Sequence, residues 1–425
     1  MDDIVLQDKS SLLRKVEVFP LDIRKYHSFT DERVFRNIEQ TSTRLKGLKV
    51  GHLTPTPMMN GVGEILQSLV PLMNNLGVIS DWYTIAPEKN IVQLTQNIYN
   101  SLQGGKWRFD SRSHSIFLEH NKRIAEEIEL LDIDCWIIHD PQPCLVSAGI
   151  NIFRNAIWHC HLDTSTPNKT VWNYLNRYLK EYDRLVFSLQ DYMTCSIPPE
   201  KVRFIQPAID PLNPKNQHLP VDKAKSVLSR LGIDPGRPLI SQIARFDLWK
   251  DPIGVVEAYY LAKQQVIGLQ LALVGTLTEQ DDPEAAGVYK QVIEYCGEDP
   301  DIHLFINPDQ IKDLEINAFQ TASEIIIQKS IREGFGLTVA EALWKGTAVI
   351  GGNCGGIRTQ IEDGVNGYLV NTPKECATRI IELIQDEALR NQLGTEGKKV
   401  VRRHHLIPRL LRDYLALIEE VVLGV

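Results

Sequence analysis

The chain has no apolar run near the eighteen or so residues needed to span a bilayer. Its start, Met1-Asp2-Asp3-Ile4, lacks the basic flank and apolar core of a signal peptide. No stable membrane insertion is therefore expected, and a cytoplasmic location is. Cysteine is sparse and unpaired in pattern. Its seven positions (Cys135, Cys144, Cys160, Cys195, Cys296, Cys354, Cys376) are odd in number and widely spaced, with no C-x-x-C pair. That argues against a disulfide or zinc framework and for reduced thiols. Positive charge is also short: 46 Lys and Arg stand against 54 Asp and Glu, a net charge of −8, which disfavours a nucleic-acid surface. An anionic small ligand stays open, because local cations decide that. Internal repeats are not evident, and no G-x-G-x-x-G opens a helix with an acid about twenty residues on, so a dinucleotide fingerprint is poorly supported.

What is present reads as a globular α/β protein. The 425 residues exceed one ordinary core and suggest two or three domains. Residues 1–45 are charged and poorly periodic, an extension packed on the first domain. From residue 48 short apolar strands alternate with amphipathic helices: strands at 48–53, 82–85, 135–138, 156–160, 185–188 and 202–205, with helices over 62–76 and closing at 124–131. Pro207, Pro211 and Pro214 then punctuate the pattern as a linker. A second series follows at 239–243, 271–274, 303–305, 325–327, 348–350 and 368–370. Strands separated by helices predict two doubly wound parallel sheets, with a ligand cleft expected between the domains. Near the end Leu410, Leu411, Tyr414, Leu415, Leu417, Ile418, Val421 and Val422 recur at helical spacing, so this segment needs a partner surface.

The chemistry concentrates at strand ends. Ser330-Ile331-Arg332-Glu333-Gly334-Phe335-Gly336-Leu337-Thr338-Val339-Ala340-Glu341 follows the strand at 325–327, where α/β folds bind ligands. Its glycines let backbone N–H groups approach a ligand, and the helix after them adds a positive dipole end. If that helix began at Glu333, eight residues at roughly 1.5 Å each would part the two carboxylates by about 12 Å. A hydrolytic carboxylate pair is only about 5–9.5 Å apart, so the two acids are expected to grip different parts of one long ligand. Arg245 and Lys250 lie in a strand-to-helix loop, where two cations can neutralise a departing diphosphate. In the first half, Gly61 and Gly63 follow the first strand, and Ile138-His139-Asp140-Pro141 and Trp158-His159-Cys160-His161-Leu162-Asp163 are further strand ends. Their histidines and aspartates can hydrogen-bond sugar hydroxyls. A metal held by His139, His159, His161 and Asp163 is the competing reading. No H-E-x-x-H element accompanies them, and no metal is expected.

The two glutamates resemble the E-x7-E element of GT-B retaining glycosyltransferases. With Arg245, Lys250, Gly355-Gly356-Ile357 and Gly364-Val365-Asn366-Gly367 the chain resembles family 4 of that class. More narrowly, His139-Asp140-Pro141-Gln142-Pro143, Cys160-His161-Leu162-Asp163, Pro207-Ala208-Ile209-Asp210-Pro211 and Gln328 to Val339 are similar to trehalose glycosyltransferring synthases and trehalose phosphorylases. The resemblance runs from about residue 48 to the last helix. It implies a GT-B fold: a Rossmann-like acceptor domain over 1–211 completed by 409–425, a donor domain over 212–408, and a last helix crossing back to the first domain. It implies transfer of glucose from a nucleoside-diphosphate sugar (UDP-, ADP- or GDP-glucose) to glucose, with retention and no obligatory cofactor or metal. Other acceptors, phosphorolysis, and a silent sugar-nucleotide-binding protein are the alternatives; a homodimer is compatible with any of them. The implied catalytic residues are His139, Arg245, Lys250 and Glu333. Gly61, Arg245, Lys250, Arg332, Glu333, Gly334, Phe335, Gly336, Leu337, Thr338 and Glu341 would bind the donor, with Glu333 on the sugar and Glu341 on the ribose. Asn60, Asp140, His161 and Asp163 would face the acceptor. The first loop departs from the synthase pattern. Met59-Asn60-Gly61-Val62-Gly63-Glu64 keeps one of three glycines, which leaves the acceptor open.

Overall fold

The computed structural model describes residues 11–56, 61–150, 154–193, 197–275 and 283–424; Asn60 and Cys195 lie outside them. The chain forms two compact units, Met1–Pro207 with Ile407–Val425, and Ala208–Leu406.

The first unit holds a seven-stranded sheet of β1 (Leu13–Lys15), β2 (Lys49–Thr54), β3 (Ile79–Ile85), β4 (Cys135–His139), β5 (Ala156–Cys160), β6 (Arg184–Phe187) and β7 (Val202–Phe204). Its order is β1-β3-β2-β4-β5-β6-β7. Every residue of β4 and β5 is buried, as expected of parallel strands covered on both faces. One edge differs from the all-parallel expectation: β1 runs antiparallel to β3, with Leu13 opposite Ile85. The first 45 residues are thus more than an unpatterned extension, since they also carry the helix Glu32–Arg44. Their signal was weak for a physical reason. The strand is three residues long, and two of the helix's four buried positions, Thr41 and Ser42, are polar.

The last helix, Ile407–Leu423, buries Leu410, Leu411, Tyr414, Leu415, Leu417 and Ile418 within this same unit. Its polar face is tied by Glu419 to Arg44, and by Glu420 to Arg184 (2.8 Å) and Arg203. That is the partner surface its apolar periodicity demands.

The second unit holds six parallel strands: β8 (Leu239–Ile243), β9 (Gln270–Val274), β10 (Ile302–Phe305), β11 (Ile325–Gln328), β12 (Ala348–Gly352) and β13 (Tyr368–Val370). Their order, β10-β9-β8-β11-β12-β13, is the 3-2-1-4-5-6 order of a doubly wound sheet. The order reverses between β8 and β11 here, and between β2 and β4 in the first unit. Ligands of such sheets bind beyond the carboxyl ends of strands at those reversals. Among the described residues, no helix is long and apolar enough to cross a membrane.

Candidate active site

The reversal in the second unit brings together two loops that are distant in sequence. After β8, Asp247 accepts the N–H of Trp249 (2.7 Å) and pairs with Arg245 (2.9 Å), shaping a short turn over Leu248–Lys250. Asp251, at φ 50°, caps the helix Pro252–Lys263. After β11, the N–H of Ile331 donates to the carbonyl of Trp249 at 2.7 Å and locks the second loop to the first. Lys250 consequently reaches Glu333, Nζ to Oε2 2.5 Å, and the same carboxylate oxygen accepts from Ser330 Oγ at 3.1 Å. Glu333 is buried, so it is held by a cation and a hydroxyl in a medium where both count strongly.

The helix of this motif is Leu337–Lys345, capped by Gly336 at φ 87°. Glu333 therefore stands before the helix rather than at its start, and the separation computed from helical rise does not describe these two acids. Gly336 is needed for a conformation that L side chains rarely adopt. Gly356 is needed for space: a Cβ there would lie 2.3 Å from the Cα of Phe335. Gln360 fixes the turn by donating to the carbonyl of Phe335 (2.6 Å), and Thr338 donates to that of Ile243 (3.2 Å). The first N–H groups of the helix, from Leu337 on, have no carbonyl within it to bond, an arrangement that suits an anion or a hydroxyl. Gly334 and Arg332 are partly exposed beside it.

Glu341 lies elsewhere on that helix, and it is buried. Lys215 pairs with Oε1 (2.7 Å), and Gln320 donates to Oε2 (2.7 Å). Burial alone would raise its pKa; Lys215 and Lys345, with Gln320, bring it below the ordinary carboxylate value.

In the first unit, Gly61 is exposed where it opens the helix Gly61–Asn75. Three strands deliver histidines to one face. His52 of β2 is level with Ile137 of β4, and His139, two residues on, points the same way. His139 is in turn level with His159 of β5, and His161 follows two residues later. The rings form a continuous array: His52 Nδ1 to His139 Nε2 is 3.1 Å, and His139 Nδ1 to His161 Nε2 is 3.0 Å. His159 stacks on His161 with centroids 3.9 Å apart and bonds Tyr414 Oη at 2.5 Å. Burial pushes His52 and His161 down to about 3, and His139 and His159 well below the ordinary value, so all four rings are neutral near pH 7. His139 has no exposed surface and both nitrogens engaged; His161 is partly exposed, though its Nδ1 is buried.

Nitrogens of His139, His159 and His161 lie within 4.8 Å of one another, close enough to suggest a metal. The same rings also meet one another directly. The His52–His139, His139–His161 and His159–His161 planes are only 17°, 20° and 24° from parallel. The stacked rings of His159 and His161 send their lone pairs side by side, and a proton fits between each hydrogen-bonded nitrogen pair. Asp140 sits beside this array at φ 64° and accepts the backbone N–H of His161 at 3.0 Å. Asp163 accepts from the N–H (3.0 Å) and hydroxyl (2.6 Å) of Ser165.

Comparison with known proteins is decisive at this point. Residues 52–194 match the family described as trehalose synthase, N-terminal domain, and residues 226–400 match glycosyl transferases group 1. The chain is 38% identical to a trehalose synthase of Rubrobacter xylanophilus, over 97% of this chain and 100% of that one. The chain belongs to the trehalose synthase family of glycosyltransferases. A trehalose synthase of Pyrococcus horikoshii is 34% identical over 96% of this chain and 100% of its own. Among solved structures, a sucrose-phosphate synthase from Thermosynechococcus elongatus superimposes with a TM-score of 0.68 at 17% identity, covering 89% of this chain and 100% of that one. At that identity the likeness speaks for the GT-B fold alone.

Several residues of this family member escaped the sequence reading: His52, Lys215, Gln320, Ser330 as a Glu333 ligand, and Tyr414 as a polar group. His52 carried a signal, since a histidine in an otherwise apolar strand is a buried polar group requiring partners. Lys215 and Gln320 stand in no motif and were legible only through contact with Glu341.

Asp140 yields a test. Burial raises its carboxyl to about 7, with the backbone N–H of His161 opposing. Below about pH 4 folded and unfolded chains both hold the proton; between about 4 and 7 only the folded chain does. Stability therefore falls across that window as pH rises, and the full cost is present above it. Asp140→Asn keeps the oxygen that accepts from His161 and tolerates positive φ. It is expected to match the parent at pH 4 and to exceed it at pH 8 by on the order of a few kcal/mol. Denaturant unfolding at the two pH values checks this; an equal difference at both would contradict it. Transferase activity is expected to fall, as at functional sites that retain strain.

Proposed function

We propose that this protein is a retaining glycosyltransferase that moves a glucosyl unit from a nucleoside-diphosphate glucose to glucose, forming trehalose. The Lys250–Glu333 pair at the sheet reversal, beside the open N-terminus of Leu337–Lys345, is the observation that carries the reading. In this assignment Arg245 and Lys250 neutralise the diphosphate, with Arg332 and Gly334 beside them. Glu333 and the N–H groups of Phe335, Gly336, Leu337 and Thr338 hold the sugar, and Glu341 serves the ribose end. Gly61 is assigned to the donor from the first unit; Asp140, His161 and Asp163 serve the acceptor side, and Asn60 is assigned there from sequence. The bond from the anomeric carbon to the β-phosphate oxygen breaks, and a bond to the acceptor oxygen forms on the same face. The acceptor's proton passes to the leaving phosphate, so no carboxylate nucleophile is required. Fixed cations at the leaving group contribute where charge develops, and no metal is invoked.

Support comes from the family and from the chemistry of these side chains. The test is turnover of UDP-, ADP- and GDP-glucose against glucose, glucose phosphates and other sugars, with the product's anomeric configuration read by NMR. Trehalose from glucose with retention is expected. Rapid phosphate-dependent cleavage of trehalose with no use of any nucleotide sugar would overturn the assignment in favour of phosphorolysis.

A further inference from the structure

In Gln328-Lys329-Ser330 the outer two side chains bond Glu333, and the proposed reaction leaves Lys329, between them, without a task. Lys329 is nonetheless buried, and a buried ammonium is costly unless it is paired. Its partner is Asp251 Oδ2, on the loop that carries Lys250. The pairing is reciprocal. Each loop contributes one cation and one acid: Lys250 meets Glu333, and Lys329 meets Asp251.

The two pairs cannot share one duty. Lys250 and Glu333 are both assigned to the donor, so the bond between them loosens when diphosphate and sugar arrive. Lys329 and Asp251 have no assigned ligand, and their pair stays closed. Residues on both sides of Lys250 are then still tied to the second loop. Trp249 is held by its carbonyl, which accepts the Ile331 N–H, and Asp251 is held by its carboxylate. Asp251 is shaped for this. It stands at φ 50°, which is uncommon for a residue other than glycine, and its Oδ1 accepts the N–H of Gly254 at 3.1 Å. That leaves Oδ2 for Lys329, and Gly254 makes room for it: a Cβ there would lie 2.3 Å from Oδ2.

We propose that Lys329 is a positioning residue: by docking Asp251 it fixes the adjoining backbone of Lys250, so that the Lys250 ammonium keeps its place at the diphosphate while Glu333 turns to the sugar. The proposal rests on the donor role assigned above to Lys250. It adds that leaving-group stabilisation depends on a buried lysine that touches no ligand.

The experiment is a kinetic cycle on the full chain, run on whichever reaction the substrate panel identifies, with thermal melts as folding controls. Lys329→Met is expected to lower kcat on the order of 10–10²-fold, as for a catalytic group displaced by about 1 Å, with acceptor KM unchanged. In the Lys250→Ala background the same substitution is expected to have almost no further effect, because no ammonium is left to misplace. A role confined to folding would give the same factor in both backgrounds. Gly254→Ala keeps every charge and turns Oδ2 away from Lys329. It is expected to share the kcat loss and, combined with Lys329→Met, to add nothing; it carries the same cycle if the melt shows Lys329→Met unfolded. Parent-like kcat in a folded Lys329→Met protein overturns the proposal. So does a Lys329→Met loss that multiplies in full with that of Lys250→Ala, and either result leaves the donor role of Lys250 standing. Near-normal turnover in Lys250→Ala alone removes that role and the proposal with it, so the two failures are told apart.

Discussion

Lys250→Ala is expected to lower kcat at saturating donor by about 10²–10³-fold, the usual cost of deleting one fixed donor to a developing anion. In the proposed reaction the leaving diphosphate gains charge as the glycosidic bond breaks, and Lys250 is one of two cations in the loop after β8. The ion pair with Glu333 makes the residue doubly important, because the same ammonium holds the carboxylate assigned to the sugar. Ser330 and Gln328 remain on that carboxylate, at 3.1 and 3.5 Å, so the turn keeps support in the variant. Steady-state rates with a thermal melt as a folding control make the measurement. Near-normal turnover in a folded Lys250→Ala protein would remove Lys250 from the chemistry.

The second large effect concerns Glu341. Glu341→Gln takes the Glu341 charge away from Lys215, itself buried, and breaking one side of a buried pair costs about 3–5 kcal/mol. For a unit of this size a melting temperature lower by on the order of 10 °C is expected. Glu333→Gln keeps Ser330 and Gln328 as partners and is expected to be milder in stability but severe in rate. If Glu341 serves the ribose and Glu333 the sugar, calorimetry with the bare nucleoside diphosphate shows weakened binding for Glu341→Gln and nearly intact binding for Glu333→Gln. The double variant Lys215→Met with Glu341→Gln removes both members of the pair. It is expected to recover much of the stability and none of the nucleotide affinity, which separates folding from recognition. Equal losses of nucleotide affinity in the two single variants would refute the division of labour.

How much of this was legible beforehand depends on range along the chain. The strands of both sheets other than β1, the loop of Arg245 and Lys250, the glycine turn around Gly336 and the amphipathic last helix all follow from local patterns. Alternation, helical period and turn chemistry are local, and a sequence displays them directly. The boundary error at Glu333 is of the same kind: whether a helix starts at Glu333 or Leu337 depends on the left-handed Gly336, and a glycine permits that conformation without announcing it.

The sequence by itself determined the α/β class, the family, and the residue types available at each strand end. Which of those residues meet was decided only by tertiary structure. Lys250 finds Glu333 across 83 positions, and His52 finds His139 across 87. Glu341 is buried against Lys215 instead of standing as a solvated helix residue. Strand order and register set these encounters. A one-residue shift of β2 against β4 would turn His52 to the opposite face of the sheet and break the imidazole chain. Register is chosen by burial of whole strand faces at once, so no local stretch of sequence contains it.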